Sequence, residues 1–377
     1  MSTILPPSML GMLGGGQLGR FFVIAAHEMG YKVTVLDPDK HSPAGKIADV
    51  HICSSYTDQE ALKRMEETCL AISTEFENVP AETLEFFSRN RIVRPSAIAV
   101  GITQNRVSEK RFIRDAGLPV APFAVINSIQ DLESVQQDLY PGILKVARFG
   151  YDGKGQARVR NLEEAKVAFA SFNSDVCVLE KMLNLDYEVS VVLAREANGK
   201  VVSYPTSENS HLNGILDISI IPARGKDKIN FQAQKLALLV AEKLDYVGVL
   251  GVEFFVSDGN LLVNEIAPRP HNSGHFTIDA CITNQFEQQV RALVGLPLGE
   301  ARMHSSAVMV NLLGDIWPED GEPSWDIAFS CDQLKMHLYG KNEPRPARKM
   351  GHFTVLATSR DEAIKKAMEI RQAFGIG

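Results

Sequence analysis

Apolar and polar positions follow two rhythms along the first hundred residues. Met9–Leu13 and Lys32–Leu36 read as short buried strands, while residues 20–29 between them carry apolar side chains at helical spacing, and Asp37 closes the second run. Strand, glycine turn, helix and strand make a βαβ unit, so the strands should be parallel. Thr57-x-x-Glu60 predicts a capping box for the next helix, residues 70–74 a further strand, and Pro80 the start of another helix. A small parallel sheet with covering helices is the economical outcome.

The texture changes after Gly117. Pro119 and Pro122 mark a connector, and strand-like runs at 143–146, 157–159, 176–180 and 188–193 then surround a glycine-rich loop, which predicts a separate α+β lobe. A helix over roughly 231–244 leads into a hairpin, 249–256 and 261–266, and a helical stretch ends near Gly295-Leu296-Pro297. A mixed tail follows from Ser305, with strand-like runs at 307–312 and 352–357.

With 377 residues the chain exceeds what one core usually organises, so two or three domains are expected. Five dispersed cysteines, Cys53, Cys69, Cys177, Cys281 and Cys331, with no Cys-x-x-Cys spacing, argue against a disulfide framework and for a reducing, cytoplasmic location. Pro6 and Pro7 interrupt the N-terminus where a secretory signal would need an apolar run, and no apolar stretch is long enough for a bilayer; no membrane partner is expected. A net charge of -7 disfavours nucleic acid, although a local basic cluster could still hold one phosphate.

Candidate chemistry begins at Gly14-x-Gly16-x-x-Gly19, which follows a strand and opens a helix in the context of a dinucleotide turn. Such a turn offers amides to any anion, so a dinucleotide, a sugar phosphate or ribose, and a purely structural turn all stay open. Residues 148–156, Arg-Phe-Gly-Tyr-Asp-Gly-Lys-Gly-Gln, lie between strand-like runs, and Lys154 is followed by Gly155, so this is no Walker loop. It reads as a hairpin able to lay its amides over phosphates, or as a plain surface hairpin. Lys145 inside an apolar strand calls for an anion and is a phosphate candidate. The connector Glu180-Lys181-Met182-Leu183 could offer an adenine its backbone, and Glu188 could accept from ribose hydroxyls, though acidic strand ends are common without ligands.

Glu253 and Glu265 flank the turn sequence Ser257-Asp258-Gly259-Asn260. A three-residue loop, Asp258-Gly259-Asn260, would pair 257 with 261 and so 253 directly with 265; a two-residue loop would send them to opposite faces. Directly opposed carboxylates repel unless a cation lies between them, so metal ligation is expected over a solvated surface pair. The run Ile266-Ala267-Pro268-Arg269-Pro270-His271-Asn272-Ser273-Gly274-His275 follows at once; there Arg269 could stabilise an oxyanion and His271 could move protons. The tail segment 341–349, Lys-Asn-Glu-Pro-Arg-Pro-Ala-Arg-Lys, is a basic patch in an acidic chain, suited to a phosphate or bicarbonate or simply solvated.

In these motifs the chain resembles the ATP-grasp superfamily, and within it the N5-carboxyaminoimidazole ribonucleotide synthetase family. The carriers are residues 13–20 (Leu-Gly-Gly-Gly-Gln-Leu-Gly-Arg), 74–80 (Thr-Glu-Phe-Glu-Asn-Val-Pro), the loop 150–156, the run from Asn264-Glu265 to His275, and 348–352 (Arg-Lys-Met-Gly-His). The resemblance implies an α/β and α+β multidomain fold: a Rossmann-like domain over 1–105, an ATP-grasp domain over 106–297 with a mobile lid lobe at about 118–186, and a small mixed β-rich domain over 298–377. It implies ATP contacts at Arg106, Lys145, Gly150, Tyr151, Asp152, Gly153, Lys154, Gly155, Gln156, Glu180, Lys181, Met182, Leu183, Glu188, His211, Asn264 and Glu265. Magnesium, or manganese in its place, falls on Glu253 and Glu265.

The implied reaction joins bicarbonate to 5-aminoimidazole ribonucleotide at the expense of ATP, through carboxyphosphate. Arg269, His271 and Lys341 would surround that intermediate, with Tyr151 and Asp152 as proton acceptors. The ribonucleotide would meet Gly15, Gly16, Gln17, Leu18, Glu75, Asn272, Ser273, Arg345 and Arg348, in an enzyme that the resemblance makes a homodimer. The rivals are a formate-dependent glycinamide ribonucleotide transformylase, whose run continues Asp-Thr-Gly where this chain has Asn272-Ser273-Gly274; biotin carboxylase, whose longer run of consecutive glycines in the lid loop is absent; a nicotinamide oxidoreductase, which rests on the first glycine turn alone; and a non-catalytic nucleotide-binding module, which would not need both a metal pair and a basic acceptor site.

Overall fold

Five parallel strands make the first sheet, in the order Val50–Ile52, Lys32–Leu36, Met9–Leu13, Ala71–Thr74, Ile92–Val93. The computed structural model describes residues 3–148, 155–172, 176–225 and 227–376. The sheet is buried on both faces, which explains its continuous apolar runs. Helices Gln59–Thr68 and Ala81–Ser88 contribute to the core on one face. Helix Gln17–Glu28 covers the other, together with Phe286, Val290, Leu293 and Val294 of the distant helix Gln285–Val294. The expected Thr57/Glu60 capping box is not formed; Asp58 is the N-cap, its carboxylate accepting from the amides of Glu60 and Ala61, because an ionised acceptor one residue nearer the helix serves the free N–H groups better.

The distant helix bolts this layer to the rest of the molecule. Gln289 donates to Ser73 Oγ at 2.9 Å and accepts the Val249 amide at 2.6 Å, and Arg94 donates to the carbonyls of Ala292 and Leu293. All of these groups are buried, so each hydrogen bond offsets a desolvation that would otherwise go unanswered.

A second, four-stranded antiparallel sheet runs Phe123–Ile126, Cys177–Lys181, Gly142–Val146, Gln156–Val159. The third and largest sheet is antiparallel and begins at the hairpin Gly248–Ser257 and Asn260–Ala267. It continues through Tyr187–Arg195, Ser207–Leu212 and Ile215–Ile221 into the tail strands Ser306–Leu313, Lys349–Ala357 and Leu334–Leu338. The tail therefore extends the central sheet: Ile218 pairs Val310 and Ile221 pairs Ala307. The fold is mixed α/β and α+β.

The hairpin differs from expectation in its loop. Ser257 pairs Asn260 across a two-residue turn, Asp258 and Gly259, whose φ angles of 50° and 72° are both left-handed, as the tight hairpin turn matched to strand twist requires. A two-residue loop should have separated Glu253 from Glu265. A register shift beyond Phe254 restores the pairing, so Glu253 does oppose Glu265, by a bulge instead of a longer loop. Among the described residues, and apart from its own chain neighbours, nothing lies within 4 Å of where a Cβ on Gly259 would sit, so Gly259→Ala should cost backbone strain only, about 1 kcal/mol of stability. Denaturant unfolding should show that loss in its midpoint with the slope of the transition unchanged.

Candidate active site

A cleft of about 780 Å³ is walled by the two antiparallel sheets and by residues that follow the strands Met9–Leu13 and Ala71–Thr74 of the parallel one. Of the residues singled out from sequence, Gln17, Leu18, Glu75, Arg106, Lys145, Gln156, Glu188 and His211 line it, as do Glu253, Asn264, Glu265, Arg269, His271, Asn272, Lys341, Arg345 and Arg348. Gly150, Tyr151, Asp152, Gly153 and Lys154 lie outside the described residues. Gly155 is described, with φ 69°, and hydrogen-bonds through its carbonyl to the Val146 amide.

On the four-stranded sheet, Ile143 stands opposite Glu180, so Lys145, two residues along, is its diagonal neighbour on the same face. Lys145 Nζ lies 3.0 Å from one Glu180 oxygen, and Lys110 Nζ lies 3.1 Å from the other. Burial would raise the Glu180 pKa, but Lys110, Lys145 and Arg106 outweigh it and bring it down to about 2. Lys145 is accordingly held by a carboxylate at the cleft wall, while Lys181, Met182 and Leu183 are not among the residues that line the cleft.

The long sheet supplies the opposite wall. Glu188 and His211 come from neighbouring strands, with His211 Nδ1 3.3 Å from Glu188 Oε2. His271 follows the hairpin and places Nε2 3.3 Å from Glu253 Oε1. Its Nδ1 accepts from Ser273, whose hydroxyl is 2.8 Å away, at the end of a buried chain in which Ser219 donates to Asn209, Asn209 to Ser190 and Ser190 to Ser273. That chain leaves Nε2 to carry the proton facing Glu253. Burial pushes the Glu253 pKa up, yet the hydrogen bond from His271 and the positive groups around it, His211 and Lys349 among them, hold it at about 2.

Arg269 is fixed by a residue the sequence reading passed over. Glu77, three positions past the strand Ala71–Thr74, accepts from Arg269 Nε at 2.6 Å and keeps the guanidinium aligned at the cleft. Asn78, Phe255 and Leu216 are other wall residues given no role from the sequence, and Lys349, the last residue of the basic patch, is in the wall as well. Glu77 stood in a quoted motif, but its partner Arg269 lies 192 residues further along the chain, so no local pattern paired them.

The glycine turn does not present free amides. The Gly15 amide donates to Asp37 Oδ2 at 2.7 Å, the Gly19 amide to Glu75 Oε2 at 2.7 Å, and the Gly16 amide to the other Glu75 oxygen. A Cβ on Gly16 would come within 2.6 Å of Glu75 Oε1, which accounts for the glycine. The expectation that Gly15 and Gly16 hold a phosphate is thereby corrected: two carboxylates of the chain itself occupy the helix N-terminus, where the dipole favours negative charge. In the tail, Arg345 pairs with Glu343, Arg348 donates to the Glu343 carbonyl at 2.8 Å, and Lys341 donates to the Lys349 carbonyl at 2.6 Å.

Beneath this wall sit three histidines. His352 stacks on His337 with ring centroids 4.7 Å apart and 21° between planes, and lies 4.8 Å from His275. Asp279, His337 and His352 bring ligand atoms near one another, but the nearly parallel rings of the two histidines do not converge their in-plane lone pairs on one ion. Burial pushes His275 and His352 well below the ordinary histidine value, so they pack as neutral rings.

Comparison with known proteins bears on the whole chain. The family model for the ribonucleotide synthetase preATP-grasp domain matches residues 8–104, that for the ATP-grasp domain 111–286, and that for the phosphoribosylaminoimidazole carboxylase C-terminal domain 307–366. The N5-carboxyaminoimidazole ribonucleotide synthase of Bacillus subtilis is 42% identical over 96% of this chain and 95% of its own. An N5-carboxyaminoimidazole ribonucleotide synthetase solved with ADP superposes with a TM-score of 0.91 at 39% identity, covering 98% of this chain and 97% of that one. The Aspergillus clavatus synthase solved with ADP and 5-aminoimidazole ribonucleotide superposes at 0.89 with 32% identity, covering 98% and 99%. No helix among the described residues is long and apolar enough to cross a membrane.

The Glu180 cluster generates a pH signature. Its lowered pKa contributes stability that is present above the unfolded value of 4.5 and lost as pH falls toward about 2. Glu180→Gln strands two buried lysines and should cost about 3–5 kcal/mol at neutral pH. Denaturant unfolding followed from pH 7 to 3 should show the gap to wild type narrowing below pH 4.5.

Proposed function

The chain belongs to the N5-carboxyaminoimidazole ribonucleotide synthetase family of ATP-grasp ligases, and from that premise we propose how its cleft carboxylates 5-aminoimidazole ribonucleotide. It is an ATP-dependent ligase of purine biosynthesis. In our reading bicarbonate is the carbon donor. One of its oxygens attacks the γ-phosphorus of ATP, the bond to ADP breaks, and carboxyphosphate forms. The ribonucleotide's exocyclic nitrogen then attacks the carboxyl carbon, phosphate leaves, and the nitrogen gives up a proton.

The observation that carries the reading is the convergence, in one cleft, of an opposed carboxylate pair with Arg269 and His271 on one side and Lys145 on the other. Glu253 and Glu265 repel unless a cation joins them, and Asn264, also in the wall, has a buried Oδ1 without a hydrogen-bond partner. An all-oxygen donor set of this kind fits magnesium, or manganese, which when bound would offset charge on the ATP phosphates. Lys145 and Arg106 face the same phosphates from the four-stranded sheet and its flanking helix. Glu188 and His211 would receive the ribose, and the connector 180–183 the adenine edge.

Arg269, aligned by Glu77, stabilises the carboxyphosphate oxyanions, and His271, its Nε2 proton facing Glu253, stands beside them and holds that carboxylate in place. Lys341 adds a cation at the tail side. Tyr151 and Asp152 are assigned as acceptors of the amine proton. Because Glu75 and Asp37 fill the glycine turn, the ribonucleotide phosphate goes to Arg345 and Arg348, with Gln17, Leu18 and Asn272 shaping the space beside it, while Ser273, expected there from the sequence, is fully buried and acts from behind through His271. Two copies of the chain would form the working enzyme in the cytoplasm.

Incubation with ATP, magnesium, bicarbonate and 5-aminoimidazole ribonucleotide should release ADP only when all four are present; release that depends on glycinamide ribonucleotide and formate would sink the substrate assignment. Glu265→Gln should lower kcat by about 100-fold or more with its melting temperature preserved, since a charge stabiliser of the transition state is lost. Arg345→Ala and Arg348→Ala should each raise KM for the ribonucleotide roughly 10-fold and leave KM for ATP unchanged, the pattern of a lost ground-state contact.

A further inference from the structure

The hairpin carrying Glu253 and Glu265 depends on one irregularity, and the groups that hold it have no place in the chemistry above. From the turn, the ladder runs Ser257 to Asn260, Val256 to Leu261, Phe255 to Leu262 and Phe254 to Val263. Continued in step, it would set Glu253 against Asn264 and turn Glu265 to the opposite face, since side chains alternate. Asn264 is the extra residue of the bulge, and it returns Glu265 to Glu253.

The strand Asn260–Ala267 is also the edge of its sheet; among the described residues an isolated bridge to Val120, with the Val263 amide donating to the Pro119 carbonyl at 2.8 Å, is its outward backbone pairing, and the segment beyond it has no neighbouring strand. The helix Arg106–Asp115 provides partners on both sides of Glu265. Glu109 Oε1 accepts the Ile266 amide at 2.7 Å, and Lys110 Nζ donates to the Asn264 carbonyl at 3.0 Å. Glu109 is 2% exposed and Lys110 fully buried. Burying two adjacent ionisable residues is costly where an apolar pair would pack, which argues that their hydrogen bonds to this one segment matter more than filling space. Lys110 also contacts Glu180 at 3.1 Å, and Glu180 contacts Lys145.

We propose that Glu109 and Lys110 are positioning residues: they clamp the bulge at Asn264 so that Glu265 stays opposed to Glu253, and Lys110, through Glu180, ties that register to the strand bearing Lys145. The inference rests on the reading of the glutamate pair as the cation site. It predicts that loosening the clamp weakens metal binding without weakening the nucleotide's own contacts to the same degree.

The test measures two affinities separately: Mn²⁺ binding to the ADP complex by electron paramagnetic resonance, and ADP binding in EDTA by calorimetry. Lys110→Met and Glu109→Leu should weaken Mn²⁺ binding at least about 10-fold and change metal-free ADP binding less than 3-fold. Glu109→Gln, which keeps an acceptor for the Ile266 amide, should restore Mn²⁺ affinity to within about 3-fold of wild type. Should Glu109→Leu or Lys110→Met fail to fold, Glu109→Asp, whose shorter side chain withdraws the acceptor, reads the same quantity. Unchanged Mn²⁺ affinity in the folded clamp variants, or an equal loss of metal-free ADP binding, overturns the clamp. A wild-type protein that binds no Mn²⁺ with ADP would instead overturn the cation site itself.

Discussion

Two carboxylates on one face of a hairpin repel, and much of the cleft can be understood as the containment of that repulsion. Glu253 is met by His271, and the positive groups His211 and Lys349 stand close enough to lower its pKa. Arg269 also stands near Glu265, while its own orientation is set by Glu77. The same logic operates across the cleft, where Glu180 is shared by two buried lysines. Such clusters are poor sources of net stability, because desolvating each charge consumes most of what the pairing returns. Their use is positional: each long side chain is left with one low-energy geometry.

Much of this was legible in the sequence, for reasons that can be stated. Strands buried on both faces are continuous apolar runs, so Met9–Leu13 and Lys32–Leu36 stood out with the bounds they have in the structure. Ser207–Leu212, by contrast, is Ser-Glu-Asn-Ser-His-Leu, polar because its side chains build the hydrogen-bond chain behind His271, and it gave no strand signal. Leu334–Leu338 is short and partly exposed, and was missed for the ordinary reason that little of it is core.

The carboxylate pair is the more instructive case. The opposition of Glu253 and Glu265 was expected from a three-residue loop, and it occurs with a two-residue loop and a bulge. Turn chemistry is local, and Asp258-Gly259 states it plainly. A bulge is decided by whoever satisfies the displaced backbone, here a helix about 155 residues earlier in the chain, and no local pattern records that. The glycine turn failed in the same way: its amides were visible, but the carboxylates that fill them, Asp37 and Glu75, arrive from other strands.

The continuity of the long sheet has a consequence for how such a chain can change. A tail joined by a flexible linker could be exchanged as a unit. Here the tail strands are hydrogen-bonded in register to the central ones, and the loop bearing Arg345 and Arg348 hangs from the same ladder that ends at the glutamate hairpin. The span between the two ends is thus counted in strands, like marks on a ruler. A graft from another ligase would have to match that count, so the piece that grips the far end of the substrate cannot be inherited separately from the piece that activates its partner.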